Sequence, residues 1–430
     1  MRSSYQLSRT RAFDPSAPDE DCFQTTVNMH FVRLLVSLLA AVVVSMSPTA
    51  LESWSAYATV ASKSPTPARV IRVGPSHDVR TLRKAAEIAR DGDVVEVEAG
   101  DYRRDTAVWT QKNLVIRGAG ARARLIADGA EMAEGKAIFV IRGDNVTIEN
   151  LAFVGARVPD RNGAGVRHER GRLTVTNCLF EDNENGILTS NDANSELHIA
   201  DSTFLNNGAG DGYSHNLYAG TIAALSVTAS YFGPARKGHL LKSRAKATSV
   251  TYSRLTGESG SSSYEIDVSN GGVFKAIGNL IQQGSATENS VIVSYGAEGY
   301  RWPANHAHIA FNTLINDRSQ SGIFVAIRSG PAEAVISNNI LVGSGELQVK
   351  TQAEVKGNVQ ARAQDFVDPA QFDYRLRVGG RFAGAAGAVG TVGSEKAPTR
   401  EYRHTAGSVE LSGLTPLTPL SPGAFQRLAR

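Results

Sequence analysis

The sequence predicts an all-β solenoid of short parallel strands, coil stacked on coil, closed at its N-terminal end by a strand-helix cap. Three observations predict it. A row of look-alike octapeptides recurs: VTIENLAF (Val146 to Phe153), LTVTNCLF (Leu173 to Phe180), LHIADSTF (Leu197 to Phe204), LSVTASYF (Leu225 to Phe232) and TSVTYSRL (Thr248 to Leu255). Looser copies, FKAIGNLI, HIAFNTLI and AVISNNIL, end at Ile281, Ile315 and Leu341. The copies end 23 to 34 residues apart, a period at which each repeat buries its apolar row against the next. Between them lies a second strand-like segment with an all-aliphatic column: Val166, Ile187, Leu217, Leu241, Ile266, Val293 and Val325.

Before the solenoid, residues 1–28 are polar and aperiodic and read as an upstream extension. From Met29 the chain has Arg33, an apolar run from Leu34 to Val44, and small residues with possible cleavage sites at Thr49-Ala50 and Ala56-Tyr57-Ala58. A run of about 11 residues is short for a spanning helix and suits a signal peptide, which predicts a secreted or periplasmic protein. The alternative is a membrane anchor formed by residues 34–44. Residues 59–69 form a linker rich in Ser, Thr, Pro and Ala.

The solenoid domain is expected over residues 70–390. Its cap is VIRVGP, then a helix capped by Asp78 with Leu82, Ala85, Ala86 and Ile88 on one face, then DGDVVEVEAGDY. Such a cap covers the open end of the first coil, which would otherwise expose apolar side chains and unpaired backbone. In each octapeptide the first, third and last positions are mostly apolar, the alternation of a strand. Position five, Asn150, Asn177, Asp201, Asn312 and Asn338, predicts a bend, where short polar side chains tolerate left-handed geometry. The L-x-x-L-x-L frame of leucine-rich repeats is absent. Weaker coils run through LQVKTQAEVKGNVQ, a closing segment follows at DPAQFDYRLRVGG, and residues 391–430 read as an irregular tail. The pattern resembles the right-handed parallel β-helix of the pectate-lyase-like superfamily over roughly Val70 to Gly390. That resemblance implies a polysaccharide-active protein, although the fold also hosts inert adhesins.

Composition narrows the partners. Lys and Arg number 45 against 42 acids in 430 residues, so no charge excess points to nucleic acid, and an anionic substrate must be met by a local site. The only cysteines are Cys22 and Cys178. With Cys22 ahead of the signal segment, no intrachain disulfide is expected, and Cys178 reads as a buried structural thiol. A monomer is expected, with no stable membrane partner once the signal is removed.

The aliphatic column fixes a register. The next residues, Arg167, Leu188, Tyr218, Lys242, Asp267, Ser294 and Ala326, must point outward, and alternation assigns the preceding row of Gly165, Gly186, Asn216, Leu240, Glu265, Ile292 and Phe324 to the same side. Adjacent strands lie about 4.8 Å apart and i,i+2 neighbours about 6.5 Å. Asn216, Tyr218, Lys242, Arg244, Glu265 and Asp267 are therefore expected in one outward patch over three coils. His215, His239 and Tyr264 enter at matching turns beside it. Charged residues strewn over a solvated face would be spread over many coils, whereas here they gather in the middle three.

HLLKSRA also resembles the lysine-serine element of the chondroitinase B and alginate lyase family, a match limited to Lys242 and Ser243 after two apolar residues. The resemblance implies Lys242 as Brønsted base. In that family acidic Ca²⁺ ligands precede the Lys and the partner Arg comes from the next coil; here Glu265 and Asp267 follow it and Arg244 shares its strand. The expected chemistry is β-elimination on an acidic (uronic-acid) polysaccharide. Lys242 is the expected base, Tyr218 or His215 the proton partner, and Arg244 the partner of the C6 carboxylate. Asn216, His239, Tyr264, Glu265 and Asp267 are expected at the substrate, with Glu265 and Asp267 also the candidate ligands of a Ca²⁺ ion. A C5-epimerase would use the same groups. A glycoside hydrolase would pair Glu265 with Asp267, with Asp211 a third carboxylate. A non-catalytic glycan-binding solenoid would show a repeated aromatic stripe instead; Trp109 and Trp302 are isolated.

Overall fold

The computed structural model describes residues 69–386, 398–403, 407–410 and 420–426. The upstream extension with Cys22, the signal or anchor segment and the linker up to Ala68 lie outside the described residues. Among the described residues no helix is long and apolar enough to cross a membrane.

Alternating apolar residues give short strands, and one-residue bends turn the chain from one sheet to the next within each coil, so the described residues form a right-handed parallel β-helix. Its three parallel sheets, named A, B and C in the order each coil visits them, hold 12, 11 and 10 strands. Sheet A runs from Val70–Val73 to Gln352–Lys356, sheet B from Asp101–Arg103 to Val359–Ala361, and sheet C from Ala107–Trp109 to Gly345–Val349. The octapeptides supply sheet A, the bend and the start of sheet B. In Ala224–Thr228, for example, Leu225 and Val227 are buried while Ala224, Ser226 and Thr228 are partly exposed.

At the bend one residue per coil is left-handed: Asn150, Asn177, Asp201, Ala229, Tyr252, Gly278, Phe311 and Asn338. Here the sequence frame slips once. Phe274 pairs with Ala307 and Ile281 with Leu314, so the seventh copy is AHIAFNTL, its bend residue is Phe311, and Asn312 falls one place later. There Asn312 joins a buried ladder in which each backbone N–H donates to the side-chain oxygen one coil on: Ser253 to Asn279 (3.0 Å), Asn279 to Asn312 (3.0 Å) and Asn312 to Asn339 (2.9 Å). The N–H of Cys178 heads it, donating to Ser202 Oγ at 3.1 Å. Burial pushes the Cys178 thiol up to about 12, so it is inert, as its place beside the bend predicts.

Inside, Phe153, Phe180, Phe204 and Phe232 stack with centroids 5.1, 4.7 and 4.5 Å apart, and Trp109 and Phe139 continue the column edge-on. Each such pair adds about 0.5–1.5 kcal/mol beyond its buried area. At the N-terminal end the helix Leu82–Ile88 buries Leu82, Ala85 and Ala86. Its N-cap is Thr81, whose Oγ1 accepts from Lys84 N–H, rather than the expected Asp78. Asp105 further accepts from the N–H groups of Leu82 (2.6 Å) and Arg83 (3.1 Å).

The last coil ends at Ala361, and an antiparallel pair, Phe366–Asp368 with Asp373–Leu376, packs Phe366, Tyr374 and Leu376 against Ile315 and Ile340. The tail is less irregular than its composition predicts. Arg400–Arg403 pairs with Gly407–Glu410 as a hairpin, Gly423 N–H donates to Asn338 O (2.9 Å), and Ala424 N–H donates to Thr313 Oγ1 (3.1 Å).

Candidate active site on sheet C

Sheet C keeps the predicted register. Val166, Ile187, Leu217, Leu241, Ile266, Val293 and Val325 pair in sequence and are all fully buried. Tyr218, Lys242, Asp267 and Ser294 then occupy four successive outward rungs.

The preceding row corrects the expectation. Asn216, Leu240, Glu265, Ile292 and Phe324 are all buried, and a Cβ on Gly165 or Gly186 would meet the rings of Phe180 or Phe204. The middle strands are only three residues long, Leu217–Ala219, Leu241–Ser243 and Ile266–Val268. Their preceding residues sit at the corner where the chain enters the sheet, and alternation holds only along extended backbone. Two consecutive side chains therefore face the interior. Asn216 closes an inner amide ladder: its Oδ1 accepts from Asn207 N–H (3.2 Å) and Nδ2 (2.8 Å), and its Nδ2 donates to Gly233 O (2.8 Å). Glu265 has Gln283 Nε2 at 3.4 Å from its Oε2, and burial pushes its carboxyl well above the usual range, so the neutral acid is favoured. Neither residue reaches a substrate on the outer face.

The outward cluster is compact. Lys242 Nζ lies 3.4 Å from Asp267 Oδ2, and Asp267 Oδ2 also accepts from Ser269 Oγ at 2.6 Å. Arg244 donates to the Tyr218 hydroxyl, and its guanidinium carbon lies 5.3 Å from the Tyr218 ring centroid. The two cations meet on a residue the sequence reading missed, Glu298. Its Oε1 takes Lys242 Nζ at 2.9 Å and Arg244 Nη2 at 2.8 Å, and its Oε2 takes Arg244 Nε at 2.7 Å. The hydrogen bond from Arg244, joined by Lys242, holds the Glu298 carboxyl down to about 2. Glu298 rides on the loop after Val291–Tyr295, pinned by Glu298 N–H to Ser269 O (2.8 Å), Arg301 N–H to Asn270 O (3.0 Å) and Trp302 Nε1 to Arg244 O (3.2 Å). Glu298 lies in the longest interval between octapeptides, and an insertion over one sheet face is the signal that points to this loop.

Behind Tyr218, the rings of His215 and His239 stack at 4.4 Å, and Tyr264 continues the column at 4.9 Å. His215 meets Tyr218 edge-on at 5.2 Å. His239 N–H donates to His215 Nδ1 (3.0 Å) and Tyr264 N–H to His239 Nδ1 (3.3 Å), which assigns the proton of each neutral ring to Nε2. Burial pushes His215 well below its ordinary value and His239 down to about 4, so both rings are neutral. His215 is buried and supports Tyr218 from behind instead of facing a substrate. His239 Nε2 lies 3.9 Å from Asp267 Oδ2. Asp211 belongs to a loop, paired with Arg161 at 3.4 Å.

A hard cation needs several converging oxygen ligands. Glu265 faces the interior as a neutral acid while Asp267 faces Lys242, and among the described residues no group of three or more His, Cys, Asp or Glu side chains is placed to hold a metal ion. The Glu265–Asp267 pair does not fit Ca²⁺.

No protein-family model matches the chain, and no curated protein matches it. Among solved structures it is similar to pectate lyase Pel9A (TM-score 0.48, 12% identity, 84% of this chain and 98% of that one). It is also similar to ORF18 of Geobacillus virus E2 (0.42, 12%, 64% and 55%) and an alginate lyase from Paenibacillus sp. str. FPU-7 (0.42, 16%, 68% and 99%). At such scores and identities the fold and its chemistry rest on this chain's own register and side chains.

Proposed function

We propose that this β-helix protein is a polysaccharide lyase that cleaves an acidic, uronic-acid polymer by β-elimination on the outer face of sheet C. One observation carries the reading: the Arg244 guanidinium touches the Tyr218 hydroxyl while standing beside Lys242. Elimination needs the C6 carboxylate neutralised, the C5 proton removed and the leaving O4 protonated. Arg244 and Lys242 supply the positive charge that stabilises the enolate-like intermediate. Carboxylates engage Lys242 on two sides, so the proton-accepting role falls to Tyr218, whose oxyanion Arg244 would stabilise. The Lys242 ammonium is then the proton source for O4. His215 and His239 hold the Tyr218 side of the site by packing, and Ser269 orients Asp267.

Hydrolysis is less well supported, because burial of Glu265 removes one of the two carboxylates such a mechanism would use. Export of the protein, inferred from the segment at Met29, belongs to the same proposal.

The test is ultraviolet absorbance from a new C4–C5 double bond during incubation with a panel of uronic-acid polymers. Tyr218→Phe is expected to lose about a hundredfold or more of turnover while the fold persists, the scale of a lost acid-base group. New reducing ends without that absorbance would mean hydrolysis, and exchange of the C5 proton without cleavage would mean epimerisation. A Tyr218→Phe variant with full turnover would remove Tyr218 from the mechanism.

A further inference from the structure

We infer that the Lys242–Arg244 pair is an anion-binding site whose resident occupant is the protein's own Glu298, and that a substrate carboxylate binds by taking the place of that side chain. The inference deepens the lyase reading, on which it rests for the identity of the incoming anion.

The geometry is that of a bound carboxylate. Both Glu298 oxygens face the same guanidinium edge, at 2.7 Å from Nε and 2.8 Å from Nη2, the two-pronged arrangement in which arginine receives carboxylates. Lys242 Nζ closes on Oε1 from the other side at 2.9 Å. Charge says the same thing. Lys242 and Arg244 face Asp267 and Glu298, so the cluster is neutral as it stands and acquires a net positive charge only when Glu298 leaves. A uronate approaching the closed cluster meets matched charges, and one approaching the opened cluster meets an unpaired guanidinium.

The two acids differ in how they are held. Asp267 is buried on the strand itself and hydrogen-bonded to Ser269. Glu298 stands on the exposed tip of a loop, between Ala297 and Gly299, with Gly296 and Gly299 at positive φ of 79° and 90°. Neighbours pin the loop at its backbone and at Trp302, whereas among the described residues the Glu298 side chain is held by Lys242 and Arg244 alone. Rotation of one exposed side chain therefore empties the site without unfolding the loop.

The experiment measures binding of inorganic sulfate, and separately of a free uronate monosaccharide, by titration calorimetry. It uses wild type, E298Q and the E298Q/R244Q double variant, with thermal melting to confirm the fold. E298Q keeps the shape of the side chain and removes its charge; E298A is the second variant should E298Q fold poorly. Sulfate is expected to bind E298Q about tenfold more tightly than wild type, the scale of one partly exposed charge-assisted contact, and R244Q is expected to abolish that gain. Sulfate affinity equal to or weaker than wild type in both E298Q and E298A would overturn the inference and make Glu298 a fixed positioning residue. If sulfate responds as expected while no polymer is cleaved by any variant, the anion site stands and the lyase reading falls. If polymers are cleaved and sulfate binding ignores Glu298, the reverse holds.

Discussion

Two rows of side chains on sheet C, separated by two residues along the same strands, meet different partners. The corner row of Asn216, Leu240 and Glu265 faces the core, whereas in the row two places on, along the outer side of the sheet, Tyr218 and Lys242 are partly exposed and Asp267 and Ser294 are buried. Glu265 and Asp267 make the contrast sharpest. One carboxyl is a buried acid pushed well above its ordinary range by lost hydration; the other is ion-paired to Lys242. The same residue class at i and i+2 yields a structural group and a site group, because a corner between them suspends the alternation of the strand. Alternation on a parallel β-helix therefore assigns a side chain to one face only within the paired residues of each strand.

The largest expected effect comes from breaking the inward side. Leu241 is fully buried between Leu217 and Ile266, and Leu241→Ala is expected to cost about 2–5 kcal/mol in chemical denaturation, the range for a large-to-small core substitution. Tyr218→Phe, one coil away on the outward side, removes only a hydroxyl and is expected to change stability by less than about 1 kcal/mol. Equal losses in the two variants would contradict the division of the sheet into a core column and a site row.

A smaller effect tests the corner row. The raised carboxyl of Glu265 contributes stability below its unfolded value of 4.5, and that contribution is lost as pH rises through the folded value. Wild type at neutral and alkaline pH therefore bears the cost of a buried proton or a buried charge, and Glu265→Gln does not. Melting curves are expected to show the variant gaining on wild type as pH rises from acid to alkaline. A pH-independent difference between the two would mean that Glu265 ionises freely and is hydrated.

The period of the octapeptides and the aliphatic column made the solenoid and its sheet C register legible, because burying one apolar row per coil leaves a strong periodic trace. Local geometry left weaker marks. Phe311 takes the left-handed bend where Asn312 looked the better candidate, since the inner amide ladder claims Asn312 one residue later. Tyr218, Lys242, Arg244 and Asp267 could be placed together because they lie within or directly beside paired strands. Asn216 and Glu265 could not, because a corner carries no period. Glu298 escaped notice because its partners Lys242 and Arg244 lie more than fifty residues away and only the fold joins them.

The smallest effect concerns how the two rows respond to acid, and it separates them by pH. His215 and His239, buried beside the corner row, have depressed values, so their contribution to stability is complete above the unfolded value of 6.5 and is lost as pH falls, for His239 toward about 4. Glu298, on the outward side, is also depressed, so its contribution is present above 4.5 and is lost only as pH falls toward about 2. Solvent screens the Glu298 pairs, so this second loss is shallow. A stability profile taken downward in pH is expected to decline first with the histidines and then, slightly, with Glu298. E298Q should erase only the lower part of that decline. Flattening of the upper part in E298Q would mean that the histidine stack senses the outer cluster directly, joining the two rows into one titrating unit.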